Sequence, residues 1–157
     1  MKMKPIFLIF LLVAFVSCQP DEIALETGKE ITFIKDLDFS IVAQGNLNGR
    51  ENIEKSNLII QDNTSWENLI SKMNTIKDVS DKFIETDIDF SRYTIIAVFD
   101  EVYGNGGHSI DVITVKENDF DVIVKLDRLL KGNLASVITQ PFQIIKIPKT
   151  EKQIIFE

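Results

Sequence analysis

Tyr93-Thr94-Ile95-Ile96-Ala97-Val98-Phe99 is apolar at nearly every position and is bracketed by Ser91-Arg92 and Asp100-Glu101. Such a run fits a central strand covered on both faces. Downstream, Phe120, Val122, Val124 and Leu126 alternate with Asp121, Ile123, Lys125 and Asp127, the pattern of a half-buried strand. His108 to Val115 reads as another strand, and Phe142 to Ile147 as a last one that Pro148 closes. Between the Tyr93 and His108 strands lies Tyr103-Gly104-Asn105-Gly106-Gly107-His108, where three glycines permit positive φ angles and a tight hairpin.

Upstream, Phe39 to Ala43 and Leu58 to Ile60 are short strand-like runs, separated by a stretch rich in turn formers (Gly45, Asn46, Asn48, Gly49). Asp62-Asn63-Thr64-Ser65 then offers helix caps with Glu67 in the first turn. Trp66, Leu69, Ile70, Met73 and Ile76 follow at helical spacing. This predicts one amphipathic helix from Ser65 to about Ile76, its apolar stripe facing a core. The expected fold class is α+β, mainly β: an antiparallel sheet or sandwich with one amphipathic helix packed against it.

At the amino end, Lys2 and Lys4 precede eleven apolar residues, Ile6 to Val16, ending in Ser17-Cys18. A bilayer-spanning helix needs roughly 20, so the pattern predicts a bacterial lipoprotein signal over residues 1–17. Cys18, the one cysteine, becomes the lipidated first residue of the mature chain, and the expected location is the outer membrane, on its periplasmic or surface face. Residues 18–30 read as an acidic tether and 31–157 as a single β-rich domain. Loss of Lys2 and Lys4 takes the formal net charge from −7 to −9. That acidity argues against nucleic acid as a partner, and a lone cysteine leaves no intramolecular disulfide.

Catalytic parts are few. His108 is the only histidine, and its neighbour Ser109 would point to the opposite face of a strand, which disfavours a Ser-His-Asp arrangement with Asp111 or Glu101. The glycine loop lacks the Gly-x-x-x-x-Gly-Lys-Ser/Thr spacing of a phosphate cradle. Asp87 with Asp89, Asp100 with Glu101 and Asp119 with Asp121 form close acidic pairs, as chance allows among 24 acidic residues. The expectation is a protein with no catalytic residues, no metal and no cofactor.

Three stretches carry a family resemblance. Ile88-Asp89-Phe90-Ser91-Arg92-Tyr93 running into Thr94–Phe99 looks like the Asp-Phe-Ser plus apolar strand of the C-terminal domain of the PrcB protease-complex subunit family. Gly106-Gly107-His108-Ser109-Ile110-Asp111-Val112 is similar to that family's Gly-Gly-Tyr-Ser-Ile hairpin, and Thr139 to Lys149 resembles its closing strand. With the strand at Leu58 and the helix opening at Trp66, the resemblance covers roughly residues 55–149. The chain departs from the pattern at Asn105-Gly106-Gly107-His108, where Thr-Gly-Gly-Tyr is usual, and at Asp100 or Glu101, where a glycine is usual. The resemblance implies a PrcB-like, non-catalytic accessory protein that assists a surface protease complex and needs no cofactor.

Together these readings predict a membrane-anchored protein-binding module whose partner is an envelope or surface protein. The candidate partner-binding loop is Tyr103, Asn105, Gly106, Gly107 and His108. The alternative is a protease inhibitor that inserts its glycine-rich hairpin loops into a protease cleft.

Overall fold

The computed structural model describes residues 34–129 and 131–157. The predicted signal, Cys18 and the acidic tether lie outside the described residues. The chain builds β1 (Lys35–Asp36), β2 (Ser40–Leu47), β3 (Ser56–Ile60), α1 (Asn63–Met73), a 3₁₀ turn at Ser80–Lys82, β4 (Tyr93–Phe99), β5 (Ser109–Glu117), β6 (Asp121–Leu129), β7 (Gln140–Pro148) and β8 (Gln153–Phe156).

Two four-stranded sheets result, ordered β1-β5-β6-β8 and β2-β7-β4-β3. All pairings are antiparallel except β6 with β8. The fold is α+β, mainly β, a sandwich with one helix against it. Period-two geometry explains its layers. Ile95, Ala97 and Phe99 of β4 pack toward Trp66, Leu69 and Met73 of α1, whereas Ile96 and Val98 pack toward Ile110, Val112, Val122 and Val124 of the other sheet. In β7, Phe142 and Ile144 face the helix side, and Ile145 and Ile147 the sheet side. Because β4 and β7 each supply two cores, their sequences show apolar runs where one-sided strands would alternate.

The helix begins at Asn63, two residues before the predicted start, because Asp62 caps it. The Asp62 carboxylate accepts from the Ser65 N–H at 2.8 Å, and that bond with the Ser65 hydroxyl holds Asp62 below the usual carboxylate range. It ends at Met73, so Ile76 lies beyond it and is exposed. Asn74 turns the chain: its amide oxygen accepts from the N–H groups of Val79 and Ser80, and its amide nitrogen donates to the Ser80 hydroxyl. The Trp66 indole donates to the Thr86 carbonyl at 2.7 Å, which satisfies the one polar atom of this buried ring.

Several expectations are corrected. Gly45 and Asn46 belong to β2, which runs on to Leu47 because it stays paired with β7 through Leu47↔Gln140. Phe120 sits in the β5–β6 turn, before its strand begins, and is exposed. β7 includes Pro148, opposite Tyr93 at the end of the ladder. The glycine loop is not a hairpin, since β4 and β5 belong to different sheets and never pair. It is a crossover from one layer to the other, and of its three glycines only Gly107 uses a left-handed φ, at 85°.

Candidate functional site

The two crossovers, residues 100–108 from β4 to β5 and the segment from β6 to β7, lie side by side. Neighbouring strands in one sheet feed neighbouring strands in the other, so the connections must run together. An isolated bridge pairs Tyr103 with Thr139, with N–H to O distances of 2.8 and 3.0 Å. Further along, Asn133 N donates to Gly106 O at 2.7 Å and Gly106 N to Ala135 O at 3.1 Å. The Thr139 hydroxyl donates to the Asn105 carbonyl, and Asn105 Nδ2 to the Asn133 carbonyl. This clasp requires close backbone approach. A Cβ on Gly107 would stand 3.0 Å from Asn133 N, and one on Gly132 would run into the side chains of Asn105 and His108.

Inside the clasp the rings of Tyr103 and His108 stack at a centroid distance of 3.7 Å, 7° from parallel. His108 is only 8% exposed. Its Nε2 meets Asn105 Oδ1 at 3.0 Å, while Nδ1 is buried with no hydrogen-bond partner among the described residues. The candidate loop residues are therefore brought together, but the Tyr103 hydroxyl, the Asn105 amide and His108 Nε2 are engaged within the loop pair, and the two rings turn a face to each other. Ser109 Oγ donates to Asp111 Oδ2 at 2.7 Å, so the serine hydroxyl is committed to a carboxylate and His108 to an amide. No nucleophile–base contact is formed between them.

Bonded to the Tyr103 hydroxyl is Asp100, which the sequence marked as one of an acidic pair and, with Glu101, as a departure from the resembled family's glycine. It is fully buried. Asp100 Oδ2 accepts from the Tyr103 hydroxyl at 2.9 Å, and Oδ1 faces Arg128 Nε at 3.4 Å and Lys55 Nζ at 3.5 Å. Both cation contacts are charge attraction without hydrogen-bond geometry. Lys55 is closer to the exposed Glu101, at 2.7 Å, and that hydrogen bond raises its pKa. Burial first, then the Asp100 carboxylate, hold the Tyr103 phenol above its ordinary value. Gln140 adds a neutral tie, donating from Nε2 to the Ile53 carbonyl at 2.7 Å and to the Asp100 carbonyl at 3.1 Å. One buried carboxylate thus gathers the loop before β3, the ends of β4 and β6, and the first crossover.

Around this fixed frame stand apolar side chains that find no core: Val102, Leu134, Val137 and Ile138 are exposed. A Cβ on Gly49 would touch both Val102 and Ile138, and one on Gly106 would touch Val137, so these three gather over the glycine positions of the loop end, while Leu134 stands fully exposed three residues before Val137. Their sequence signal was present in Leu134, Val137 and Ile138, apolar residues among Gly132, Asn133 and Ser136 where a connection should be polar.

Other groups stand apart from one another. Asp87 is not joined to Asp89, whose carboxylate instead accepts from the Ser91 hydroxyl and N–H and is lowered by those bonds. No group of three or more His, Cys, Asp or Glu suited to a metal ion occurs among the described residues. No helix among them is long and apolar enough to cross a membrane. Compared with family models, curated proteins and solved structures, the chain has no match.

Proposed function

We propose that this chain is a non-catalytic accessory module, anchored by lipid at Cys18 at the outer membrane, that docks another envelope or cell-surface protein on its loop end. The observation that carries this reading is the exposed apolar group Val102, Val137 and Ile138, with exposed Leu134 on the same connection, on a pair of crossovers held by hydrogen bonds and a buried carboxylate. Apolar side chains displayed together at a surface are what a protein partner covers. The commitment of Ser109 to Asp111 and of His108 to Asn105 supports a role without catalysis. The resemblance to the PrcB family makes a protease complex the first partner to try.

Inhibition by loop insertion is the less favoured reading. Insertion would need the rings of Tyr103 and His108 as contact area, and those rings are turned on each other. Affinity capture with the tagged full chain from envelope extracts tests docking. A stoichiometric protein partner retained by the wild type and lost by Leu134→Asp with Val137→Asp is the expected result. Retention unaffected by those changes, or no stoichiometric partner at all, would overturn it.

A further inference from the structure

The outer edge of β5 is only partly covered. Its neighbour β1 spans two residues, opposite Lys116 and Glu117, and Leu37 N then donates to Val115 O before the chain leaves for the other sheet. Among the described residues no strand pairs with the outer side of Ser109–Val112. The direction of its main-chain groups follows from the ladder. Leu126 N donates to Glu157 O, away from β5, so the Val112–Leu126 pair is of the non-hydrogen-bonded kind and Val112 N–H points outward. That N–H is taken by the buried Gln143 Oε1 from β7, at a β-bulge between Val112 and Thr114. Two residues earlier, the Ile110–Arg128 pair must have the same character, which directs the N–H and C=O of Ile110 outward.

Two hollows follow this edge. One, of about 240 Å³, is lined by Gln44, Gly45, Asn46 and Phe142 on one wall and by His108 to Asp111 on the other. The second, of about 310 Å³, lies past the bulge between Asp36–Phe39 and Ile113–Val115. His108, with its unpartnered buried Nδ1, closes the first hollow at its loop end. Carboxylates stand nearest Ser109–Val112, with Lys125 on the same face of β6 two residues from Asp127. Asp111 stands directly opposite Asp127, Asp36 and Asp38 flank the second hollow, and none of the four takes part in an ion pair among the described residues. The strand's own cation, Lys116, sits opposite Asp36, far from Asp111.

We infer that the outer edge of β5 at Ser109–Val112 accepts an extended segment of a protein partner, which adds one short strand and places a basic side chain opposite Asp111. The inference rests on the protein-binding reading above and names a second contact for it. Ile110 supplies the main-chain donor and acceptor. Asp111 falls in the close, non-hydrogen-bonded position relative to the added strand, with Cα atoms about 4.5 Å apart, so a Lys or Arg there meets the Asp111–Asp127 pair. The bulge and Gln143 stop the pairing after Val112, as edge protection does elsewhere.

The probe is the blocked peptide acetyl-Thr-Val-Lys-Val-Thr-amide, followed by amide NMR of the ¹⁵N-labelled full chain. Shifts should gather at Ser109–Val112, at His108 and at the Gln143 side-chain amide. Replacing the peptide's Lys by Glu should weaken binding at least about tenfold. Asp111→Lys should reverse that preference. N-methylation of both peptide valines, which needs no change in the protein, should abolish binding. Absence of shifts at millimolar peptide, shifts centred elsewhere, or equal binding of the N-methylated peptide would overturn the inference. If the wild type and Asp111→Lys capture the same envelope partner equally well, the edge is not a contact and the docking reading stands. Peptide binding without any stoichiometric partner in the capture experiment would have the converse meaning.

Discussion

The paired strands β4 and β7 and the paired crossovers at their ends are held by opposite means. In the strands, cohesion comes from side chains such as Ile96, Phe99, Ile144 and Ile145, all essentially without exposure, and any one of them is supported by many neighbours. In the crossovers, cohesion comes from single polar contacts, Tyr103 to Asp100, Asn133 to Gly106, Thr139 to Asn105, each with one partner. The first arrangement resists local opening because it melts only with the whole core, whereas the second can open by breaking a few bonds. The placement of Val102, Val137 and Ile138 therefore depends on Asp100 more than on core volume.

The largest effect is expected in the strands. Phe99→Ala removes a fully buried ring that stacks on Phe142 with centroids 6.0 Å apart, and should cost about 3–5 kcal/mol. Denaturant unfolding should show a lower midpoint with unchanged slope. Hydrogen exchange should rise across the whole domain. If only the helix side loosens, the two cores on either face of β4 are separate units and the comparison needs redrawing.

Asp100→Asn comes next. It keeps the shape and an acceptor for Tyr103 but takes the buried charge from Lys55 and Arg128 and turns the Tyr103 bond from one to a charged group, worth about 1.5–3 kcal/mol, into a neutral one worth about 0.5–1.5 kcal/mol. The loss should be local: amide exchange should quicken at Tyr103, Gly106, Asn133 and Thr139 while Ile96 and Ile145 stay protected. Uniform quickening would mean that crossovers and strands unfold as one.

Alkaline pH probes the same contrast without mutation. Tyr103 and Lys55 both have folded pKa values raised above their ordinary ones, Tyr103 by burial and then Asp100, Lys55 by Glu101. Each contribution is complete below the unfolded pKa, near 10 for Tyr and near 10.4 for Lys, and is lost as pH rises through the folded value. Near-ultraviolet dichroism of the Tyr103–His108 stack should fade in that window before β-sheet signal does. Tyr103→Phe should remove the pH dependence of that early change, and a simultaneous loss of both signals would sink the distinction.

What could be read in advance follows the same division. The apolar run at Tyr93–Phe99, the alternation from Val122 to Leu126 and the stripe Trp66, Leu69, Met73 are local patterns imposed by burial, and each sits where its periodicity placed it. The short β8 was not anticipated. Its four residues matter only because Ile154 and Phe156 pair in parallel with β6, and no local signal announces such a partner. Nor could sequence say that the glycine loop crosses between sheets, since a hairpin and a crossover share the same turn residues. Asp100 was visible as a carboxylate after an apolar strand, but its partners Lys55 and Arg128 are remote in the chain, and no spacing rule joins them. Polar contacts of this kind are set by topology, and topology was the part left open.

The smallest expected effect has the opposite sign. Asp111 and Asp127 occupy directly opposite positions of the β5–β6 ladder, on the same face, and like charges so placed destabilise a sheet. Ser109 gives Asp111 a hydroxyl, and Asp127 accepts from the Arg128 N–H, but neither bond brings a countercharge. Asp127→Asn retains an oxygen for the Arg128 N–H and removes the charge–charge repulsion with Asp111, so it should stabilise the domain by about 0.5 kcal/mol at low salt, less as salt rises. Among changes in the strands this would be a gain where Phe99→Ala is a loss. A strand pair that keeps an avoidable repulsion is informative if the same substitution weakens the basic peptide, because stability has then been given up for a charge that a partner uses. Should Asp127→Asn leave both stability and peptide affinity unchanged, the facing carboxylates are solvated well enough to be indifferent, and the edge of β5 loses its electrostatic argument while Ile110 keeps its main-chain one.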